Sequence, residues 1–314
     1  MKPSQPPATR EAGAVTCDVA AHGWVRVSAD GLAELRRQPG PVLGQPFPSS
    51  FLKHADEQTV AGLTAVYHAI HDHGLQETRF THWGVLAAPC HQGRAALTGA
   101  LLRFREEGAW GVSPHLIPHR SLHSLSGMVS LALRIHGPNF GVGGGPGAAR
   151  EVLLTAVALL ERQRLPGIWV VLTSISEQTA PTPQGDPAPG AFWVGQALAL
   201  QPARSEWPGL RLHLGMDRTQ PDDVRSVFDL FHLHAALEKL AAQPEPGLAI
   251  SLALEGGMHI VLSRAGHKSR AINGHLSTLH TGGNGDLTLH PPHSNGKAQH
   301  PAARSGRLGV ETQR

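Results

Sequence analysis

The sequence predicts a layered α/β fold, and three observations carry that expectation. Apolar residues at helical spacing alternate with short strand-like runs along the body of the chain. The run GIWVVLTS, Gly167 to Ser174, is β-branched and continuously apolar, as a strand covered on both faces must be. A glycine-rich segment then links a strand directly to a helix. With 314 residues the chain is long enough for one large α/β domain or two small ones. Its 36 Gly and 25 Pro against only 16% charged residues are high for a uniformly folded body, so roughly two thirds of the chain is expected to fold.

In order, Met1 to about Ala20 reads as a loose polar tail. Gln38 to Ser50 reads as an extended connector with four prolines in thirteen positions, and order begins near Phe51. Asp56 is placed to cap a helix whose apolar positions are Val60, Leu63, Val66, Tyr67 and Ile70, with Gly74 to end it. Trp83 to Ala88 is a short buried strand. Gly93 to Glu107 is a helix with Leu97, Leu101, Leu102 and Phe104 on one face, closed by Gly108. Leu125 to His136 is a third helix, stopped by Gly137-Pro138 because proline disfavours helical geometry in the residue before it. Strand Asn139 to Val142 and helix Ala148 to Arg164 follow. Beyond the central strand come a Pro-rich loop from Thr179 to Gly190, strands Ala191 to Leu200 and Leu210 to Leu214, a helix Pro221 to Ala242, and a last strand Leu248 to Leu262 interrupted near Gly256-Gly257. From Ala265 to Arg314 there is almost no apolar periodicity, and disorder is expected.

The strand-to-helix elbow around Gly143, Gly144, Gly145, Pro146 and Gly147 is where α/β enzymes often keep chemistry, because a helix N-terminus stabilises negative charge. This one offers no nucleophile: from Phe140 to Arg150 there is no Ser, Thr, Cys, Lys, His, Asp or Glu. Gly143-x-Gly145-x-x-Ala148 fits the form of a dinucleotide cradle, but no acidic residue stands clearly at the end of the next strand to hold a ribose. The glycines are read as permitting a tight turn.

Other chemistries find little purchase. The net charge of +3 is close to balance, and no basic run is interleaved with aromatics, which argues against nucleic acid. Cys17 and Cys90 lack CxxC spacing, which fits a reducing, cytoplasmic setting, and the apolar runs are too short to span a bilayer. Cys90 with His91 as its base is a conceivable nucleophile, yet adjacent side chains diverge, and a small buried cysteine is the preferred reading. His68, His71 and His73 cluster on one helix and His232 and His234 on another without any HExxH or supporting carboxylate set, so they are read as surface histidines; the six between His267 and His300 lie in the tail. No metal and no cofactor is expected.

The segment VSPHLIPHRSLHSLSGMVSLALRIHGPNF, followed by the glycine elbow, an Ala/Leu-rich helix and the VVLTS strand, resembles β-ketoacyl synthases of the thiolase-like superfamily. AVYHAIHDHGL and THWGVLAAP resemble the family's preceding helix and strand, so the likeness runs from about Phe51 to Leu200. It implies a thiolase-like fold with an abbreviated second half. The division would be a tail and connector over 1–50, partly ordered from about 21, a synthase-like domain over 51–264, and a tail over 265–314. In active members the ninth residue after the Gly of Gly-Pro is the acyl-accepting cysteine; here that residue is Pro146. The family's His-Gly-Thr and Gly-His-Asn motifs are absent after Leu200. Glu177 resembles an acidic residue common after that strand, with a structural role expected.

The resemblance therefore implies a non-condensing homologue similar to short chain-length-factor-like proteins. Its partner would be an active ketosynthase in a heterodimer, or a second copy in a homodimer, with acyl carrier protein as a further partner. Asn139, Phe140, Gly141 and Val142 would form the strand edge that pairs across the dimer. Two alternatives stay open: an acyltransferase-type enzyme acting on a thioester with residues the family does not use, and a degenerate scaffold.

Overall fold

The computed structural model describes residues 15–37, 41–43, 45–46, 49–145, 147–176, 190–216, 229–243, 248–254, 256–264, 277–281 and 287–289. The first ordered element corrects the reading of the N-terminus. Val15 to Ala20, taken as loose tail, belongs to the 14-residue strand β1 (Val15–Ser28), which lies near the middle of the sheet. Helix α1 (Ala29–Arg37), the two-residue strands β2 (Pro41–Val42) and β3 (Gln45–Pro46) and the short helix α2 (Ser49–Leu52) also precede the expected start of order at Phe51. A register shift between Val19 and Ala21 breaks the alternation that would have marked β1 in sequence. Asp18, a poor strand residue, is fully buried and held by Arg204 and Arg211 from far along the chain.

Helix α3 (Glu57–Asp72) forms as its sequence dictates: the Asp56 carboxylate accepts the Thr59 N–H at 2.8 Å, and Gly74 takes a positive φ of 67° just beyond its end. It lies so close to β1 that a Cβ on Gly23 would sit 2.1 Å from the Ala65 carbonyl oxygen. Next come β4 (Gly84–Pro89), α4 (Arg94–Glu107), a 3₁₀ turn at Gly108–Gly111, α5 (Leu116–Arg120), α6 (His123–Leu133), β5 (Asn139–Gly141), α7 (Ala148–Gln163) and β6 (Ile168–Ile175). The chain continues through β7 (Phe192–Pro202), β8 (Leu210–Met216), α8 (Leu230–Ala242), β9 (Ala249–Ala253) and β10 (Met258–Arg264). The expected single last strand is a hairpin: β9 and β10 pair antiparallel, and Gly256 and Gly257, both at positive φ, make the turn. Strands β11 (Ser277–Thr281) and β12 (Leu287–Leu289) fall inside the segment that lacks apolar periodicity.

Ten strands among the described residues form one mixed sheet in the order β12-β11-β9-β10-β8-β1-β7-β6-β4-β5. β4 runs parallel to both β5 and β6, whereas β6, β7, β1, β8, β10 and β9 pair antiparallel in succession. Helices cover both faces. On β6, Ile168, Val170 and Leu172 point into a core closed by Val152, Leu153 and Leu160 of α7 and by Leu233, Leu237 and Leu240 of α8. Trp169 and Val171 point the other way, toward Val60, Leu63 and Val66 of α3 and Leu125 and Val129 of α6. The two-sided burial of β6 is what its unbroken apolar run requires.

Candidate functional site

The loops after parallel strands β4 and β5 and the end of β6 gather at the C-terminal ends of these strands, the place where open α/β sheets keep their crevice. Backbone bonds tie them together. Val142 N–H donates to the Ala87 carbonyl at 2.8 Å, carrying the β4–β5 pairing one step past β5. His91 N–H donates to Gly144 O at 2.9 Å and Cys90 N–H to Thr173 O at 2.8 Å. Side chains from α3 lock the same loops. Gln58 Nε2 donates to Cys90 O at 3.0 Å while its Oε1 accepts the Thr173 hydroxyl at 2.8 Å. Gln92 Nε2 donates to Asp56 Oδ2.

The elbow needs its glycines. Gly143 and Gly144 have φ of 73° and 127°, and Cβ atoms there would meet Ala148 Cβ at 2.6 Å and Leu122 Cδ2 at 3.0 Å. Among the described residues, Gly145 has no neighbour within 4 Å of such an atom, and Gly147 caps α7 without any side-chain bond. Pro146 lies outside the described residues, as does Glu177. The described elbow positions thus present backbone groups only.

The side chains nearest in the fold do not replace the missing nucleophile. Burial pushes the Cys90 thiol up, away from the thiolate that would react, and its carbonyl and N–H are both committed to structure. Among the described residues no hydrogen bond joins Cys90 Sγ to the His91 ring; His91 sits at a φ of 57°, and its buried Nε2 has no partner there. Cys17 lies in the core, its thiol raised to about 12, first by burial and then by Asp18 and Glu161. Asp56 is raised by burial against the bonds from Thr59 and Gln92, the behaviour of an internal helix cap.

The structure disperses the histidines the sequence grouped. His68, His71 and His73 are exposed; His68 Nδ1 lies 2.8 Å from the Trp24 carbonyl and His71 Nδ1 3.0 Å from Asp72. His232 and His234 part company, His234 stacking on Trp24 at 4.5 Å between ring centroids. A group that sequence reading missed is His54, His115 and His119: the first two rings stack at 4.7 Å and the third lies 5.8 Å from each. Only the i, i+4 spacing of His115 and His119 hinted at it. Among the described residues, no set of three His, Cys, Asp or Glu is arranged to hold a metal.

At the edge of the sheet, among the described residues, β5 is hydrogen-bonded to β4 alone. Phe140 is half exposed, and the buried Oδ1 of Asn139 has no partner among the described residues. Leu122, at the start of α6, covers the elbow, and its carbonyl oxygen would lie 2.0 Å from a Cβ on Gly141. No described helix is long and apolar enough to cross a membrane.

Residues 46–163 match the sequence model of the β-ketoacyl synthase N-terminal domain. No curated protein matches the chain. Among solved structures, the ishigamide ketosynthase/chain length factor is 18% identical, with 66% of this chain and 69% of that one aligned at a TM-score of 0.43. A ketosynthase in complex with its chain length factor from Xenorhabdus doucetiae is 14% identical, over 68% of this chain and 62% of that one, at 0.43. A type II polyketide acyl-carrier protein in complex with its ketosynthase is 13% identical, over 60% and 62%, at 0.40. The chain thus spans 62% of the length of that last relative.

Proposed function

From the β-ketoacyl synthase-like character of residues 46–163, we propose that the chain is a non-condensing ketosynthase homologue that supports polyketide or fatty-acid-like chain synthesis, as a chain-length-factor-like partner of an active ketosynthase. The observation that carries this reading is the elbow. It keeps the tight strand-to-helix turn, yet the sequence from Phe140 to Arg150 holds no group able to accept an acyl chain, and Pro146 stands where the resemblance places the cysteine. A proline has neither a nucleophile nor an N–H to lend to an oxyanion.

The role is one of packing and pocket shape in the cytoplasm. The open side of β5 is the pairing edge: a partner strand would satisfy its unpaired backbone groups, cover Phe140 and offer Asn139 Oδ1 a donor. Acyl carrier protein delivers the growing chain to the active subunit.

Co-expression with a catalytically complete ketosynthase from the same genome tests this. A stable complex that copurifies and fails to form with Phe140→Asp supports the reading. A chain that remains monomeric beside every such synthase refutes it.

A further inference from the structure

Three imidazoles from two separate segments meet at the surface. His54 stands in the turn between α2 and α3, while His115 precedes α5 and His119 lies one helical turn on, its N–H donating to the His115 carbonyl at 3.2 Å. The ring centroids of His54 and His115 are 4.7 Å apart, and each lies 5.8 Å from that of His119. They belong to neither the elbow nor the β5 edge.

That spacing is the one a shared ion requires. With Zn–N bonds of about 2.0–2.1 Å, imidazoles on one tetrahedral zinc have centroids roughly 5 Å apart. Orientation is what the resting cluster lacks: the planes of His54 and His115 are within 3° of parallel, so these rings stack and do not converge on one point. Closure needs each ring to turn about its terminal side-chain torsion, which is broad and soft. His54 and His115 are exposed and His119 is half-buried, which leaves room for the turn and a path for an ion from solvent.

The neighbouring charges do not stand in the way. Arg120, next to His119, turns its guanidinium to Glu57 at 2.9 Å, and Glu57 is also held by Arg36 at 3.2 Å. With that carboxylate engaged, the donors are the three rings, a set that suits ions favouring imidazole over oxygen. Burial first, then His54, His115 and Arg120, lower the pKa of His119, which keeps its ring in the neutral, ligating form.

We propose that His54, His115 and His119 close on a zinc ion, with water in the fourth position. The site is independent of the pairing role above. Tying His54 to α5 closes a span of 61 positions, the kind of long loop for which a metal clip favours the folded state most. It also steadies Leu122, which follows α5 and packs against Gly144 of the elbow.

The test uses the full chain without an affinity tag, freed of metal by chelator, with thermal unfolding followed as zinc chloride is added. A site assembled by the fold binds the folded state and raises its stability, whereas zinc held equally well by the unfolded chain does not. The expected result is a rise in Tm that EDTA reverses. His115→Ala combined with His119→Ala is expected to abolish the rise. His54→Ala alone is expected to increase the zinc concentration needed for a given rise at least ~10-fold, no less than the loss of a group that merely supports a ligand. Metal-free unfolding checks that the variants fold. If zinc leaves the Tm of the parent chain unchanged, or raises it equally in the parent and in the double variant, the site is refuted. Where the double variant fails to fold, His54→Ala decides: an unaltered response to zinc refutes the site.

Discussion

Thr173 donates its hydroxyl to Gln58 Oε1 across 2.8 Å, joining the end of β6 to the first turn of α3 inside the core. The other end of the same amide holds the Cys90 carbonyl. One buried side chain thus ties the loop after β4 to the end of β6, and that loop in turn holds the elbow through the His91 N–H to Gly144 O bond. Thr173→Val removes the donor and leaves a buried acceptor unpaired, at a cost of about 1–3 kcal/mol. Denaturant unfolding measures the loss, and faster alkylation of Cys90 is expected to accompany it as the loop loosens.

The elbow glycines are not equivalent. Gly144→Ala forces a side chain into a φ of 127° against Leu122, with an expected loss of about 1–3 kcal/mol. Gly145→Ala meets nothing within 4 Å and is expected to change stability by less than about 0.5 kcal/mol. Equal effects in thermal or chemical unfolding would contradict the described turn.

Acid should destabilise the fold through His22. Burial, then His73 and His234, hold this ring's pKa down from 6.5 to about 4, while Asp72 acts in the opposite direction and Glu238 lies 3.9 Å away. The unfolded chain takes up the proton near its ordinary pKa and the folded chain refuses it until about 4. The contribution is therefore intact above pH 6.5 and lost as pH falls toward 4, by up to about 3 kcal/mol. His22→Gln should flatten the pH dependence of the unfolding free energy across that window.

The buried Asp18 carboxylate accepts from Arg211 Nε at 3.2 Å and from the Arg204 backbone N–H at 2.9 Å. Asp18→Ala leaves Arg211, itself mostly buried, without its counter-charge and is expected to cost about 3–5 kcal/mol. Arg204→Ala, which removes a half-exposed partner only, should cost less than about 1 kcal/mol. Paired denaturation curves distinguish the two.

What the sequence disclosed follows the range of the interactions involved. α3 was legible because its cap, apolar spacing and terminal glycine are all local, and β6 because burial on both faces imposes an unbroken apolar run. β1 was missed because a bulge interrupts its alternation and because Asp18 is neutralised by residues 186 and 193 positions away. Periodicity identified the stripe on α4 but cannot say whether a stripe faces the core or a partner; Leu101 and Phe104 proved to face outward. The lack of a nucleophile at the elbow was plain in the residues themselves, whereas the clamp by Gln58 and Thr173, 115 residues apart, needed the fold.

The most direct measurement of the central claim is the intact mass of the purified chain after incubation with an acyl thioester. The expected result is an unchanged mass, because the elbow has no side chain to accept the acyl group and the Cys90 thiol is held protonated by burial. An acyl adduct formed with release of the thiol, located at Cys90 or at any residue from Phe140 to Arg150, would contradict it.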